Sequence, residues 1–376
     1  MDPVSSVSPR VRVSLGPPVP PRLAAVTGRR LRAVAATPLP DDLAERIREA
    51  EPRLDLVVEQ DLLPPMRHAG DHQGDPAFSR SEADERRFQE LVDSAEVLYG
   101  IPDERPSHLA RTIRANARLE WVQLMPAGGG AQVKAAKLEQ DELERVRFTT
   151  TAGVHAVPLA EWCEFGLLAG FKTLPRLQQH QRAHEWAESR WMMRRLEDSR
   201  VLVVGLGSIG KVVADRLAHQ GVHVAGTSRR DVQVDGVEEV IHPRDLAARV
   251  GEFDGVVVTL PGTDETRHLV SADVLAAVKP GVTIANVGRG TVIDQEALVA
   301  ALQDGRVGFA ALDVTDPEPL PEDSPLWDLP NVLLSPHTAA LSDKEDALIA
   351  DLFARNATRY LDGDDLINPV NTREFY

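Results

Sequence analysis

Gly205, Gly207 and Gly210 follow the apolar run Val201 to Val204 and precede a helical pattern from Lys211 to Gln220. That order suits the binding of a pyrophosphate. Gly205 permits a tight turn, Gly207 lets the backbone approach the phosphates, and Gly210 allows helix and strand to pack closely. The helix N-terminus adds free N–H groups and a partial positive charge. A second strand, Val222 to Gly226, completes a dinucleotide-binding unit. An acid at its end would accept hydrogen bonds from the ribose hydroxyls of NAD. Here Thr227, Ser228, Arg229 and Arg230 come before the next acid, Asp231. The cofactor expected is therefore NADP(H), with NAD(H) the alternative if the arginines form only a solvated loop.

The elements that must position this site alternate β with α. Leu31 to Ala36 reads as a strand, Asp41 to Ala50 as a capped amphipathic helix and Arg53 to Gln60 as a second strand. Helices at 81–95 and 106–117 and strands at 96–101 and 119–125 continue the alternation up to Gly128, Gly129 and Gly130. This is the pattern of a parallel sheet. Between them, residues 62–80 are rich in Pro, Gly and Asp and read as a long loop, functional or mobile. His68, Asp71, His72 and Asp75 in that loop, and His180, His184 and Glu188 further on, do not make complete ligand sets. A solvated loop and an exposed helix face are the expectation, and no metal is expected. Cys163 reads as a packed core thiol, and Trp186 and Trp191 as interdomain packing.

At 376 residues the chain is long enough for two domains. Its formal charge of −16 would repel a phosphate backbone, so nucleic acid is disfavoured as a partner. One cysteine rules out an intrachain disulfide and fits a reducing compartment. No apolar run approaches the ~18 residues of a membrane span, and the N-terminus lacks the apolar block of a secretory signal. A cytoplasmic location is expected. Residues 1–30 are proline- and arginine-rich and read as a disordered tail, since the prolines would break the amphipathic helix of a transit peptide.

Downstream of the glycines lie ANVGRG (Ala285 to Gly290), ALDVTDPEPLP (Ala311 to Pro321) and LLSPHTAA (Leu333 to Ala340). Together with PGTDETRHLV, SPLWDLPNV and TAGVHAVPLAEW they closely resemble the D-isomer-specific 2-hydroxyacid dehydrogenase family, and within it the glyoxylate and hydroxypyruvate reductases. The likeness runs from about Ala95 to Asn371. It implies that Arg289 holds the substrate carboxylate and polarises the carbonyl, that His337 is the proton donor in reduction, and that Glu318 bonds the far ring nitrogen of His337. Side-chain chemistry supports these roles: a 2-keto acid needs a cation for its carboxylate and a proton for its oxygen.

The resemblance further implies that Asp313 holds the nicotinamide carboxamide, where a strand-end cap is the plainer reading. Ser208 and Ile209 would lie against the pyrophosphate, Leu260, Pro261 and Thr266 against the adenosine side, and the backbone of Val287 and Gly288 at the nicotinamide. The loop Tyr99, Gly100, Ile101 and Pro102 would meet the substrate carboxylate through backbone amides. It has no cation before Arg105, which disfavours phosphorylated substrates, and Glu318 in place of glutamine disfavours formate oxidation.

The fold expected is two parallel-sheet α/β domains, one flavodoxin-like and one dinucleotide-binding (Rossmann-like), with a cleft between them. Residues 31–150 and 341–376 would form the substrate domain and 151–340 the nucleotide domain, joined as a homodimer. The activity expected is NADPH-dependent reduction of a small 2-keto acid to its D-2-hydroxy acid. The alternative is a dinucleotide-sensing scaffold, like the corepressors that the family also resembles.

Overall fold

Runs of valine and leucine without polar alternation mark strands covered on both faces. The structure, a computed structural model that describes residues 30–375, builds two sheets from them. The first contains β1 (Leu31–Ala35), β2 (Leu54–Val57), β3 (Val97–Tyr99), β4 (Trp121–Gln123) and β5 (Arg147–Thr149), all parallel, in the order β2-β1-β3-β4-β5. The second contains β6 (Arg200–Val204), β7 (His223–Thr227), β8 (Glu239–Ile241), β9 (Gly255–Val258), β10 (Val282–Asn286), β11 (Val307–Leu312) and β12 (Val332–Leu334). These are also parallel, in the order β12-β11-β10-β9-β6-β7-β8. The first order is flavodoxin-like and the second that of dinucleotide-binding sheets. Each reverses direction once, between β1 and β3 and between β6 and β9, and the carboxyl ends of those strands frame a crevice.

Two stretches of chain pass between the sheets. The helix Ala156–Phe171 lies on the second sheet, so close that a Cβ on Gly166 would sit 2.6 Å from that of Ala311. The helix Glu345–Asp362 returns to the first sheet, where Phe353 stacks on Trp121 at 5.1 Å and meets Tyr99 edge-on at 5.2 Å. Its buried Asn356 donates to Gln123 Oε1 at 3.3 Å and accepts from the Ile367 amide at 2.7 Å. Cys163 is packed in the core, and burial pushes its thiol pKa up.

Several local expectations need correction. The tail lies outside the described residues apart from Arg30. The 41–50 helix has no side-chain cap; Asp41 and Asp42 occupy its first turn, where they face the positive end of the helix dipole. Trp186 is 98% exposed, so it packs between nothing. Trp191 stacks locally on His180, with the Arg176 guanidinium 3.9 Å from its ring centroid and its indole N–H on Thr173 Oγ1.

The 62–80 loop is not simply solvated either. Asp71 is buried, takes Arg67 Nε and Nη2 at 2.7 and 2.8 Å, and is held well below the usual carboxylate range by those bonds. Thr37 donates its hydroxyl to the carbonyl of His72, and the Gly70 amide donates to Asp346 Oδ2 at 3.0 Å. Glu345 Oε1 then joins the His72 ring at 3.4 Å to the His155 ring at 3.0 Å. Periodicity could not show this, because Gly70 and His72 meet partners 276 and 273 residues away in sequence. One carboxylate thus ties the loop to both connections between the sheets.

Burial alone would raise the Glu345 carboxyl, but hydrogen bonds and charge from His155 and His72 outweigh it and hold the pKa at about 2, against an ordinary 4.5. A group depressed in this way stabilises the fold above pH 4.5, and the contribution fades as pH falls from 4.5 through about 2. It amounts to at most roughly 3 kcal/mol. Glu345→Gln is expected to be less stable than the parent at pH 7, with the two converging on acidification, as read by urea melts at a series of pH values. A constant gap across that range would contradict the clamp.

Candidate active site

The glycine turn sits at the switch point of the second sheet. Gly205 adopts φ +107°, its amide donates to Thr227 Oγ1 at 3.0 Å, and its carbonyl accepts from Thr259 Oγ1 at 2.8 Å. A Cβ on Gly210 would lie 1.9 Å from the Gly205 carbonyl oxygen, whereas one on Gly207 would meet nothing within 4 Å. The first contact explains the close helix packing, and the open face of Gly207 is where a phosphate can approach. The helix begins at Ser208 rather than Lys211. The amides of Ser208, Ile209 and Gly210 therefore lie in its first turn, at the positive end of the dipole. Thr227 and Thr259 were not singled out as site residues; the available signal was a threonine at the end of each strand flanking the glycine turn.

Beyond β7 the Ser228 amide bonds to the Ile241 carbonyl, and the Arg230 amide donates to Ser228 Oγ at 3.1 Å. Arg229 and Arg230 are exposed, with Arg229 paired to Glu265. After β9, Leu260 packs over Gly205, and Thr266 donates its hydroxyl to the Pro261 carbonyl at 2.6 Å. Val287 is buried and bonds its amide to Val258. Gly288 lies against the Leu260 backbone, where a Cβ would be 2.4 Å from its oxygen. Residues scattered over 80 positions of sequence thus line one sheet edge.

The next three strands deliver the groups suited to proton transfer and carboxylate binding. At the end of β10, Asn286 Oδ1 accepts from the Gly288 amide at 3.0 Å and its Nδ2 donates to the Arg289 carbonyl at 3.2 Å. This fixes the turn from which the exposed Arg289 guanidinium projects. Its Nη2 lies beside Gly128, where a Cβ would be 3.0 Å away, so the glycine run after β4 in the first sheet faces Arg289 across the cleft. At the end of β11, Asp313 is 2% exposed, and its Oδ1 accepts from Ser335 Oγ at 2.7 Å and from the Thr338 and Ala339 amides at 3.0 Å. In this structure it caps the turn that carries His337. His337 has φ +57°, a left-handed conformation unusual for a side chain of this size, and its Nδ1 is 2.5 Å from Glu318 Oε1. That bond fixes the ring orientation, so Nε2 is the nitrogen left to face a reacting group.

The loop after β3 is less open than its expected role suggests. Tyr99 is buried in the core, and the Gly100 amide donates to the Gln123 carbonyl at 2.8 Å. The Ile101 amide faces Glu104 Oε1 at 3.5 Å. Among the described residues, no group of three or more His, Cys, Asp or Glu side chains could hold a metal ion, and no helix is long and apolar enough to cross a membrane.

The family model for the NAD-binding domain of D-isomer specific 2-hydroxyacid dehydrogenases matches residues 165–339. The chain is 30% identical over 288 residues to glyoxylate/hydroxypyruvate reductase B of Yersinia pseudotuberculosis serotype O:3 (strain YPIII), covering 72% of this chain and 88% of that protein. Among solved structures, the D-isomer specific 2-hydroxyacid dehydrogenase of Xanthobacter autotrophicus Py2, crystallised with NADPH and MES, superposes with a TM-score of 0.71 at 28% identity, covering 92% of this chain and all of that one. A family protein of Aeromonas salmonicida subsp. salmonicida A449 gives 0.69 at 27% identity over 91% of this chain and 99% of the other. The chain belongs to the D-isomer specific 2-hydroxyacid dehydrogenase family.

Proposed function

We propose that this chain reduces a small 2-keto acid of the glyoxylate and hydroxypyruvate class to its D-2-hydroxy acid with NADPH. The observation that carries this reading is the His337–Glu318 pair, held on a capped turn at the same sheet edge as Arg289 and the glycine helix. The bound dinucleotide would supply the hydride. Arg289 would take the substrate carboxylate in its planar fork, and His337 Nε2 would give a proton to the carbonyl oxygen. Glu318 keeps the ring oriented throughout. The substrate unit in this reading is residues 31–150 with 341–376, the nucleotide unit is 151–340, and closure of the cleft at Gly128 and Arg289 would expel water. A cytoplasmic location belongs to the same reading.

His337→Ala is expected to lower kcat at least a hundredfold in a NADPH-oxidation assay with glyoxylate or hydroxypyruvate, while NADPH still binds. If the parent binds NADPH yet turns over no 2-keto acid, the scaffold alternative replaces the enzyme.

The preference for NADPH rests on Arg229 and Arg230 at the carboxyl end of β7. The Arg229–Glu265 pair is exposed on both sides and therefore weak, so the guanidinium can exchange the carboxylate for a 2′-phosphate. Arg229→Ala is expected to narrow the NADPH-over-NADH ratio of kcat/KM about tenfold. A parent that prefers NADH, or a ratio indifferent to the change, would remove the NADP assignment.

A homodimer is supported by a set of exposed apolar side chains on the nucleotide unit. It comprises Phe165 and Leu168 on the Ala156–Phe171 helix, Leu177 on the helix Leu174–Ala183, and Trp186 and Met192 beyond it, the last two over 90% exposed. Large apolar side chains left exposed in this number are what an interaction surface would cover. Light scattering of Leu168→Asp/Trp186→Asp should give the mass of one chain and the parent that of two; an unchanged mass would place the interface elsewhere.

A further inference from the structure

The switch point of the first sheet is also built as a site. It lies between the carboxyl ends of β1 and β3, where Thr37 and Gly100 touch: a Cβ on Gly100, which has φ +80°, would overlap Thr37 Cγ2 at 2.1 Å. Asp103 and Glu104 follow with φ of +55° and +51°, two successive non-glycine residues in left-handed backbone. Such conformations are costly and cluster where a side chain must point in a set direction. Asp103 is drawn outward by Arg80 at 2.9 Å and His108 at 2.8 Å, and Arg80 is itself held 3.7 Å from the centroid of the Phe88 ring. Glu104 is turned inward.

There its Oε1 faces the Ile101 amide and its Oε2 accepts from Gln132 Nε2 at 2.9 Å. Gln132 lies in the first turn of the helix Gly130–Ala135, just after Gly128, the residue that abuts the Arg289 guanidinium. His72, its side chain only 12% exposed, approaches from the 62–80 loop and is close enough for its charge to act on Glu104. Three buried polar atoms in this neighbourhood, His72 Nδ1, Gln132 Oε1 and Glu345 Oε2, have no hydrogen-bond partner among the described residues. Buried polar atoms of this kind call for a hydrogen-bonding guest.

We infer that Glu104, with Gln132 and His72, forms a polar subsite that accepts a hydrogen bond from a hydroxyl on C3 of the substrate. This deepens the reading of the preceding subsection and rests on it. Arg289 would fix the carboxylate end beside Gly128, and the Glu104 carboxylate, held by Gln132 a few residues further along the same segment, would meet the other end. An unsubstituted methyl there leaves the carboxylate facing carbon, whereas a hydroxyl donates to it. A site built to bond a hydroxyl rejects the analogue that lacks it far more strongly than an apolar pocket rejects an extra group. Burial of the Glu104 side chain also raises its carboxyl pKa, in keeping with a poorly solvated acceptor.

Hydroxypyruvate and pyruvate differ only in this hydroxyl, so their kcat/KM ratio with NADPH reads the subsite. The full-length parent is expected to favour hydroxypyruvate at least tenfold. Glu104→Leu should bring the ratio to within about threefold of unity, and Glu104→Gln, which keeps size and an acceptor, should retain part of the preference. A loss of folded enzyme lowers both rates alike and leaves the ratio in place, so the ratio separates selection from stability. Equal use of the two acids by the parent, or an unchanged ratio in both variants, would overturn the subsite alone. Failure of the parent to reduce glyoxylate, pyruvate or hydroxypyruvate with either dinucleotide would overturn the underlying reading, and the subsite with it.

Discussion

A parallel strand can follow another only after the chain has crossed back over the face of the sheet. Every carboxyl end therefore opens onto the same edge, and residues far apart in sequence meet there without any special device. In the second sheet this constraint gathers Gly205, Thr227, Thr259, Arg289, Asp313 and His337 from the ends of β6, β7, β9, β10, β11 and β12. In the first it gathers Thr37, Gly100 and Gly128. The contact between Gly128 and the Arg289 guanidinium shows the two edges facing each other. Chemistry at the cleft is thus a consequence of topology, refined by turns.

The refinement is the work of buried polar groups with several partners each. Asp313 converts a flexible Ser-Pro-His-Thr segment into a fixed turn by taking three hydrogen bonds on one oxygen. Asn286 does the same for Arg289 by bonding both sides of its turn. Neither need touch a substrate to matter, because a reacting group misplaced by an ångström loses much of its effect. Burial of such groups is tolerated because they are hydrogen-bonded.

Much of this was readable from the residues. Glycines at fixed spacing between a strand and a helix can hardly do anything else, and the β/α alternation left few topologies to consider. Arg289, Glu318 and His337, the residues proposed for the chemistry, stand in short motifs whose family likeness is legible in the sequence. What could not be read were contacts between distant segments: Glu345 with His72 and His155, Glu104 with Gln132, Thr259 with Gly205. His72 looked like a surface residue because its loop is polar, yet a carboxylate some 270 residues away buries it. Trp186 looked like interdomain packing because tryptophan usually packs, yet within one chain it is exposed. Periodicity reports which face of an element is apolar and is silent about what covers it.

The two sheets differ in how their sequences are arranged, and this bears on synthesis. All seven strands of the second sheet lie in one continuous stretch, so its core can form as that stretch leaves the ribosome. The first sheet begins earlier but is finished later. Its core needs Ile349, Phe353 and Ala357 from the Glu345–Asp362 helix, whose codons are read after those of every strand. Five strands made early must therefore wait with one face only partly covered, by the Asp41–Ala50 helix, and the rest of its apolar side chains open to chance partners. The short lengths of those strands, three to five residues each, limit how far an uncovered edge can pair with another chain during the delay.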